Sequence, residues 1–526
     1  MTVYREKANR PIDRSYLPVS AGSIAVALLL VVALLVHLIG LVDRSIWGDE
    51  AITLLELSGH ADPALPATPV PLSDLKRQMT ESTSPGALVE ALWSTDVHPP
   101  LYYLAADLWR DMLGPGIARL RLFSLLAVGI AAAIFYATLR QAAVPLPGFA
   151  ALIFFLSEFT LFCSANARSY GVALLLVVLT LHLALRSVDC QARCRGTAAL
   201  LGLCVGAAFL THYFTLFITG AVLIWHGAAT WRRDPGQAVA PIAAALLVGA
   251  AALPILADQL GARPEQFLGF SGLLAEGWMA VKSNLKALTR KPAELPIARV
   301  ALVIIAVPLA AGLLATFRRN GTDRFTHIST VAVLAVVANS LGILGLFYAS
   351  DKTLIHGAAL RYFGFALPFL VIFLAFGIHA LAKGSERRAA IIALLVLALQ
   401  LAGWSNDFRH QARWREIAQM IRDSPTQKAL VVLIGAGRGA FGSTIYEFPG
   451  EASVVTPPVT GLSPALIANI ARYNEIWLIA APTSRRAIKD AALRIEEHPA
   501  LAYMGTTPSG KTLDAVEVHH WRRVPW

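Results

Sequence analysis

The sequence predicts an all-α polytopic membrane domain of about eleven transmembrane helices, followed by a small C-terminal α/β domain outside the membrane. Three observations predict it. The 526 residues are 56% hydrophobic and 15% charged, with a mean hydropathy of +0.58, too apolar for a soluble protein. Apolar runs long enough to cross a bilayer recur up to residue 405. Beyond residue 406 the pattern changes to short buried runs and one amphipathic stretch.

The expected crossings are 20–42, 117–139, 147–163, 169–185, 197–211, 213–230, 238–257, 297–317, 327–349, 362–382 and 389–405. Ala21 to Val42 carries no Asp, Glu, Lys or Arg and exceeds the apolar length of a signal peptide, so it reads as a retained signal-anchor helix. With the N-terminus inside, the inner loops collect the denser basic clusters, among them Arg5, Lys7, Arg10, Arg14, Arg232, Arg233, Arg318, Arg319, Arg387 and Arg388. The positive-inside rule selects that orientation for an inner, plasma-membrane protein, and the odd number of crossings places the C-terminal domain on the periplasmic or extracytoplasmic side. The formal charge of +11 follows from this topology. No patterned basic domain points to nucleic acid.

Three outer segments are long: residues 43–116, residues 258–296 and everything after about residue 406. Within the first, Leu101, Leu104, Ala105, Leu108, Trp109 and Met112 recur at helical spacing, with Asp107, Arg110 and Asp111 opposite, which predicts a helix lying along the membrane surface. Pro63, Pro66, Pro69 and Pro71 predict an extended connection before it. After residue 406, Ala429–Ile434 and Ile476–Ala480 read as buried strands, Arg486–His498 as an amphipathic helix and Val516–Trp521 as an alternating strand. The division is therefore residues 1–405, including outer loop 43–116, and residues 406–526.

Several motifs carry little chemistry. Gly505 to Thr512 spells a phosphate-loop pattern, but such a loop must follow a strand and open a helix, whereas Leu513 to His520 alternates like a strand, so a turn is expected. Gly435-Ala436-Gly437-Arg438-Gly439 lacks the full dinucleotide fingerprint and reads as a flexible loop. Four cysteines are too few for a disulfide framework, and Cys190 and Cys194 form a lone C-x3-C without a second ligand pair.

The ionisable residues near the outer face carry more. Trp47-Gly48-Asp49-Glu50 follows the first apolar run, and Asp96-Val97-His98-Pro99-Pro100-Leu101-Tyr102-Tyr103 closes the same loop. Paired carboxylates at a membrane surface suit acid/base chemistry on a membrane-bound substrate; solvated helix-end acids are the plainer alternative. Glu158 falls inside an apolar run and must face protein or a water-filled cavity. Arg168, His212, His356 and Arg361 fall at expected outer helix ends, where they either snorkel to the interface or converge on one pocket. A carboxylate base among cations suits a glycosyl phosphate leaving as an anionic lipid phosphate, since arginine matches phosphate with a two-donor fork.

These segments, together with Ala167-Arg168-Ser169-Tyr170, Thr211-His212-Tyr213-Phe214 and Arg361-Tyr362 followed by Leu367-Pro368, resemble the bacterial family 39 membrane glycosyltransferases. Those belong to the GT-C class, related to protein O-mannosyltransferases and lipid A aminoarabinose transferases. The resemblance covers about residues 40–415. It implies a polyprenyl-phosphate sugar donor and a lipid, glycan or protein acceptor. It also implies that Asp49 is the catalytic base with Glu50 as its neighbour, and that His98 lines the donor phosphate site. Arg168 and Arg361 join His98 as expected phosphate partners, and Asp96, Glu158, His212, Tyr213 and His356 are further pocket candidates. Many relatives carry Glu-Ala-Arg where this chain has Asn166-Ala167-Arg168, so any divalent metal ion would take its ligands elsewhere. Two other classes remain open: a transporter or flippase of lipid-linked sugars, which tends to show internal repeats not evident here, and a non-catalytic scaffold.

Overall fold

The computed structural model describes residues 44–60, 64–95, 98–190, 194–254, 273–288, 298–317, 324–349, 359–402, 414–424, 428–434, 437–458, 462–470, 472–480, 485–509 and 516–523, with scattered positions between 28 and 41. The first expected crossing therefore falls largely outside the described residues. From the second onward, a helix or helix pair occupies each expected span. By length and composition, five of these helices can each cross a membrane, or six if the bent pair Pro147–Phe155 and Glu158–Ser164 counts as one span. Among the other expected spans, Arg195–Thr211, Thr215–Thr230 and Val303–Phe317 are shorter apolar helices, and the first lies largely outside the described residues.

The helical domain packs through side chains and through small residues. Phe135, Phe154, Phe365, Phe369 and Leu374 belong to one large buried cluster. Where the helices Ala298–Phe317 and Leu367–Leu381 meet, a Cβ on Gly312 would strike the Phe373 backbone and one on Gly377 would strike that of Pro308. Only glycine permits that approach. Cys190 and Cys194 are joined as a local disulfide. The segment 258–296, expected only as a long outer segment, contains the helix Leu273–Leu288, whose Glu276, Ala280, Ser283 and Ala287 form a buried stripe at spacings of four, three and four.

The C-terminal residues supply five strands of a six-stranded sheet whose order is β1-β3-β2-β4-β6-β5. Its strands are β1 (Val70–Pro71), β2 (Ala429–Ile434), β3 (Ser453–Val455), β4 (Glu475–Ala480), β5 (Leu501–Ser509) and β6 (Val516–Arg523). The central strands β3, β2 and β4 run parallel, while β1, β6 and β5 are antiparallel to their neighbours. The expected strands and the helix at Arg485–Glu496 are all present. Gly505–Ser509 extends β5, so that part of the expected turn is strand, and the rest lies outside the described residues.

Strand β1 comes from the first outer loop. Val70 pairs with Val454, the Thr456 N–H donates to Pro66 O at 2.8 Å, and the Leu72 N–H donates to Ala452 O at 2.9 Å. Proline suits this edge because the ladder asks nothing of its missing N–H. The two sheet faces are buried differently, as alternation along a strand requires. Leu430, Val432, Ile476 and Leu478 face a cluster within the C-terminal region, whereas Val431, Leu433, Val454 and Ile479 share a core with Ala51, Leu54, Leu72 and Leu88 of the outer loop.

The surface helix forms at Leu101–Leu113, and its buried face, Tyr102, Tyr103, Ala106, Asp107 and Arg110, is not the expected apolar stripe. Asp107 and Arg110 point inward and pair at 2.8 Å, while Leu108 and Met112 are both 62% exposed. Apolar residues facing outward suit a hydrocarbon surface better than water.

Candidate functional site

The site is built on the helix Gly48–Leu57, which places Asp49 and Glu50 in its first turn, where the helix dipole favours negative charge. One helical residue separates the two side chains by roughly 100°, and they have opposite fates. Glu50, expected beside Asp49 as a second reacting carboxylate, is turned fully inward. Its Oε1 accepts from Arg121 Nε at 2.8 Å and from the Ala167 N–H at 2.9 Å, and its Oε2 accepts from Arg121 Nη2 at 2.6 Å and the Trp47 N–H at 3.1 Å. Burial alone would raise this carboxyl, yet Arg121 and the amide donors hold it below its ordinary value. Both oxygens of Glu50 are thus taken up by donors inside the protein.

Asp49 faces the other way and stays partly exposed, with 26% of its side chain accessible. Its Oδ2 accepts from Arg361 Nη1 at 2.8 Å. The Arg361 guanidinium lies 4.3 Å above the Trp47 ring, a cation–π contact that fixes its plane beside the carboxylate.

Arg168 completes the cluster from behind. Its Nη1 donates to Tyr103 OH at 2.9 Å, to Thr53 Oγ1 at 3.0 Å and to the Asp49 carbonyl at 3.3 Å, and lies 3.7 Å from Glu56 Oε2. Asp49, Thr53 and Glu56 stand at i, i+4 and i+7, one face of the helix, so a single guanidinium can touch all three. Arg168 Nη2 lies 3.2 Å from Nε2 of His98, which in turn sits edge-on to His212 with ring centroids 6.2 Å apart. His212 is enclosed by Tyr170 and Phe365. Burial, with His98 and Arg168 nearby, holds its imidazole well below the usual histidine range, so it is neutral.

The structure therefore gathers Asp49, His98, Arg168, His212 and Arg361. Glu158 is buried at the bend between Pro147–Phe155 and Glu158–Ser164, and Tyr213 packs on Phe209. Asp96 and His356 lie outside the described residues. Asn166 donates to its own helix at Phe162 O, 2.6 Å away. Among the described residues no three His, Cys, Asp or Glu side chains are grouped to hold a metal ion, and Asp49 pairs with the Arg361 guanidinium.

Sequence reasoning missed Trp47, Tyr103 and Glu56 as members of the cluster, although the first two stand inside the motifs. The spacing of Glu56 from Asp49 was the available signal. It also missed the C-terminal helix Arg438–Glu447. Gly437 to Gly439, read as part of a flexible loop, opens this helix, and Gly439 stands where a Cβ would come within 3.0 Å of Gly48 Cα. That glycine serves close approach.

No protein-family model and no curated protein sequence matches the chain. Among solved structures it is similar to ArnT from Cupriavidus metallidurans bound to undecaprenyl phosphate, at 13% identity over 95% of this chain and 98% of that one, with a TM-score of 0.52. Arabinofuranosyltransferase AftD from Mycobacteria matches at 16% identity over 97% of this chain and 42% of that one, with a TM-score of 0.43, too low to carry an argument. The ArnT likeness runs over nearly the whole of both chains and shows a shared fold.

Removing one member of a buried ion pair costs about 3–5 kcal/mol, because its partner is left uncompensated. Arg121→Met should lower the thermal unfolding midpoint in detergent markedly, and adding Glu50→Leu should restore part of the loss; an unchanged midpoint in Arg121→Met would show the pair dispensable. Folding lowers the Glu50 carboxyl below its ordinary 4.5. Its stabilisation is therefore complete above that value and lost as the pH falls through the lower folded value. Acid should destabilise the wild type more steeply than Glu50→Gln in the same melting experiment.

Proposed function

We propose that the protein is a family 39-like glycosyltransferase that moves a sugar from a polyprenyl-phosphate donor to a lipid, glycan or protein acceptor on the periplasmic face. The observation that carries this reading is the accessible Asp49 carboxylate, held 2.8 Å from Arg361 beside Arg168 and His98. The fold it shares with ArnT, a protein crystallised with undecaprenyl phosphate, supports the lipid-linked donor.

In the proposed reaction the acceptor hydroxyl oxygen attacks the anomeric carbon opposite the phosphate, and its proton passes to Asp49. The bond from the anomeric carbon to phosphate oxygen breaks, its electron pair leaves with the lipid phosphate, and the configuration inverts. Arg361 and His98 would meet the leaving phosphate directly. Arg168, enclosed by Thr53, Tyr103 and Glu56, would contribute charge from the second rank and fix His98. General-base assistance is typically worth about a hundred to ten thousand fold, and charge stabilisation at the leaving group about as much. No step requires a metal ion.

Orientation is tested by fusing, after Trp526, a reporter active only in the cytoplasm; it should remain silent, and activity would remove the outer-face site. Asp49→Asn should retain donor binding but lower turnover of purified protein by at least about a hundredfold. Undiminished transfer would exclude Asp49 as base. Offered a polyprenyl-phosphate sugar and the matching sugar nucleotide, the protein should use only the former, and transfer from the nucleotide alone would sink the proposal. Arg361→Ala should weaken donor use about ten to a hundred fold, the equivalent of a lost charge-assisted hydrogen bond. Arg361→Lys should restore it in part, because the charge returns without the fork.

A further inference from the structure

The segment leading into the Asp49 helix is gripped from two sides. Glu50 accepts the Trp47 N–H, and Glu447, some four hundred positions later at the end of the helix Arg438–Glu447, accepts the adjacent Ile46 N–H at 2.8 Å. Glu447 is itself buried, and its second oxygen lies 3.5 Å from Arg415 Nε, while Arg415 Nη2 donates to Arg44 O at 3.0 Å. The C-terminal region thus binds the backbone of residues 44–46 through two charged side chains.

The helix Arg438–Glu447 also sets the height of the Asp49 helix. A Cβ on Gly439 would lie 3.0–3.1 Å from Gly48 Cα, C and O, all backbone atoms that cannot rotate away. One turn further on, a Cβ on Gly442 would meet Ala51 Cβ at 2.9 Å and Leu55 Cδ1 at 3.2 Å. Gly48 immediately precedes Asp49, so any displacement at Gly439 passes to the carboxylate within one residue. The Arg361 guanidinium and the His98 ring are carried by other elements, outside the helix that Gly439 abuts.

We infer that the C-terminal domain is a working part of the active site: Glu447, Gly439 and Gly442 position the Asp49 carboxylate relative to the Arg361–Arg168–His98 cluster. This rests on the transfer reaction proposed above, with Asp49 as its base. A misplacement of about 1 Å between a reacting group and its partner can cost on the order of a hundredfold in rate. Donor affinity, which depends on cations carried by other elements, should change much less.

The experiment compares full-length Gly439→Ala, Glu447→Ala, Glu447→Gln, Asp49→Asn and a control, Gly196→Ala, whose new Cβ meets nothing within 4 Å. Each is purified in detergent, checked for a cooperative melt, and measured for turnover and for donor binding with a polyprenyl-phosphate sugar. Gly439→Ala and Glu447→Ala should lose tenfold or more in turnover while donor affinity moves less than threefold. Glu447→Gln, which keeps an oxygen for the Ile46 N–H, should recover most of the loss, and Gly196→Ala should match the wild type. Should Gly439→Ala fail to fold, the Glu447 pair decides alone. Wild-type turnover in both Gly439→Ala and Glu447→Ala, with Asp49→Asn inactive, would overturn the inference and leave the proposed reaction standing. Absence of transfer in the wild type, or full activity in Asp49→Asn, would overturn the reaction itself.

Discussion

Arg121 holds the segment that opens the Asp49 helix to the helical domain. It reaches up from the helix Ile117–Gln141 and spends every N–H it owns: Nε and one Nη2 hydrogen on Glu50, the other Nη2 hydrogen on Ser45 O, and the Nη1 pair on Leu41 O and Arg44 O. Lysine could not replace it, because three donors on one nitrogen cannot satisfy a carboxylate fork and three carbonyls in different directions. With Glu50 fixed, Ala167 is fixed through its N–H, and the neighbouring Arg168 is carried to the face of Thr53 and Tyr103. The position of Arg168, and through it that of His98, traces back to this one buried pair.

Much of this was legible in the sequence, and the physical reasons for what was not differ from place to place. Strands such as Ala429–Ile434 were readable because both faces are buried, leaving an uninterrupted apolar run. Strands β3 and β1 were not, because three and two residues are too few for any periodicity. Asp49, His98, Arg168 and Arg361 were found by type and placement in motifs, and they do come together. What could not be read was the division of labour within Asp49-Glu50, since it depends on a partner 71 positions from Glu50. Leu101–Leu113 teaches the same point: spacing revealed the helix, while the burial of Asp107 and Arg110 followed from which side the protein occupies.

Gly437 to Gly439 illustrates the commonest misreading of glycine. Freedom of the backbone and absence of a side chain look alike in sequence, but they imply opposite mechanics. Here the residue permits two helices to touch backbone to backbone, which yields stiffness rather than motion.

The two-residue strand β1 has a consequence for how the protein is made. Pro66 and Thr456, which share a hydrogen bond, are 390 positions apart. At roughly 5–20 residues per second, translation leaves the outer loop waiting about 20–80 s for the edge that will receive it. During that interval Leu54, Leu72 and Leu88, which later meet the sheet, have no sheet to meet. Synthesis on a ribosome therefore passes through an interval in which the apolar residues of this segment are made but the strands that cover them are not.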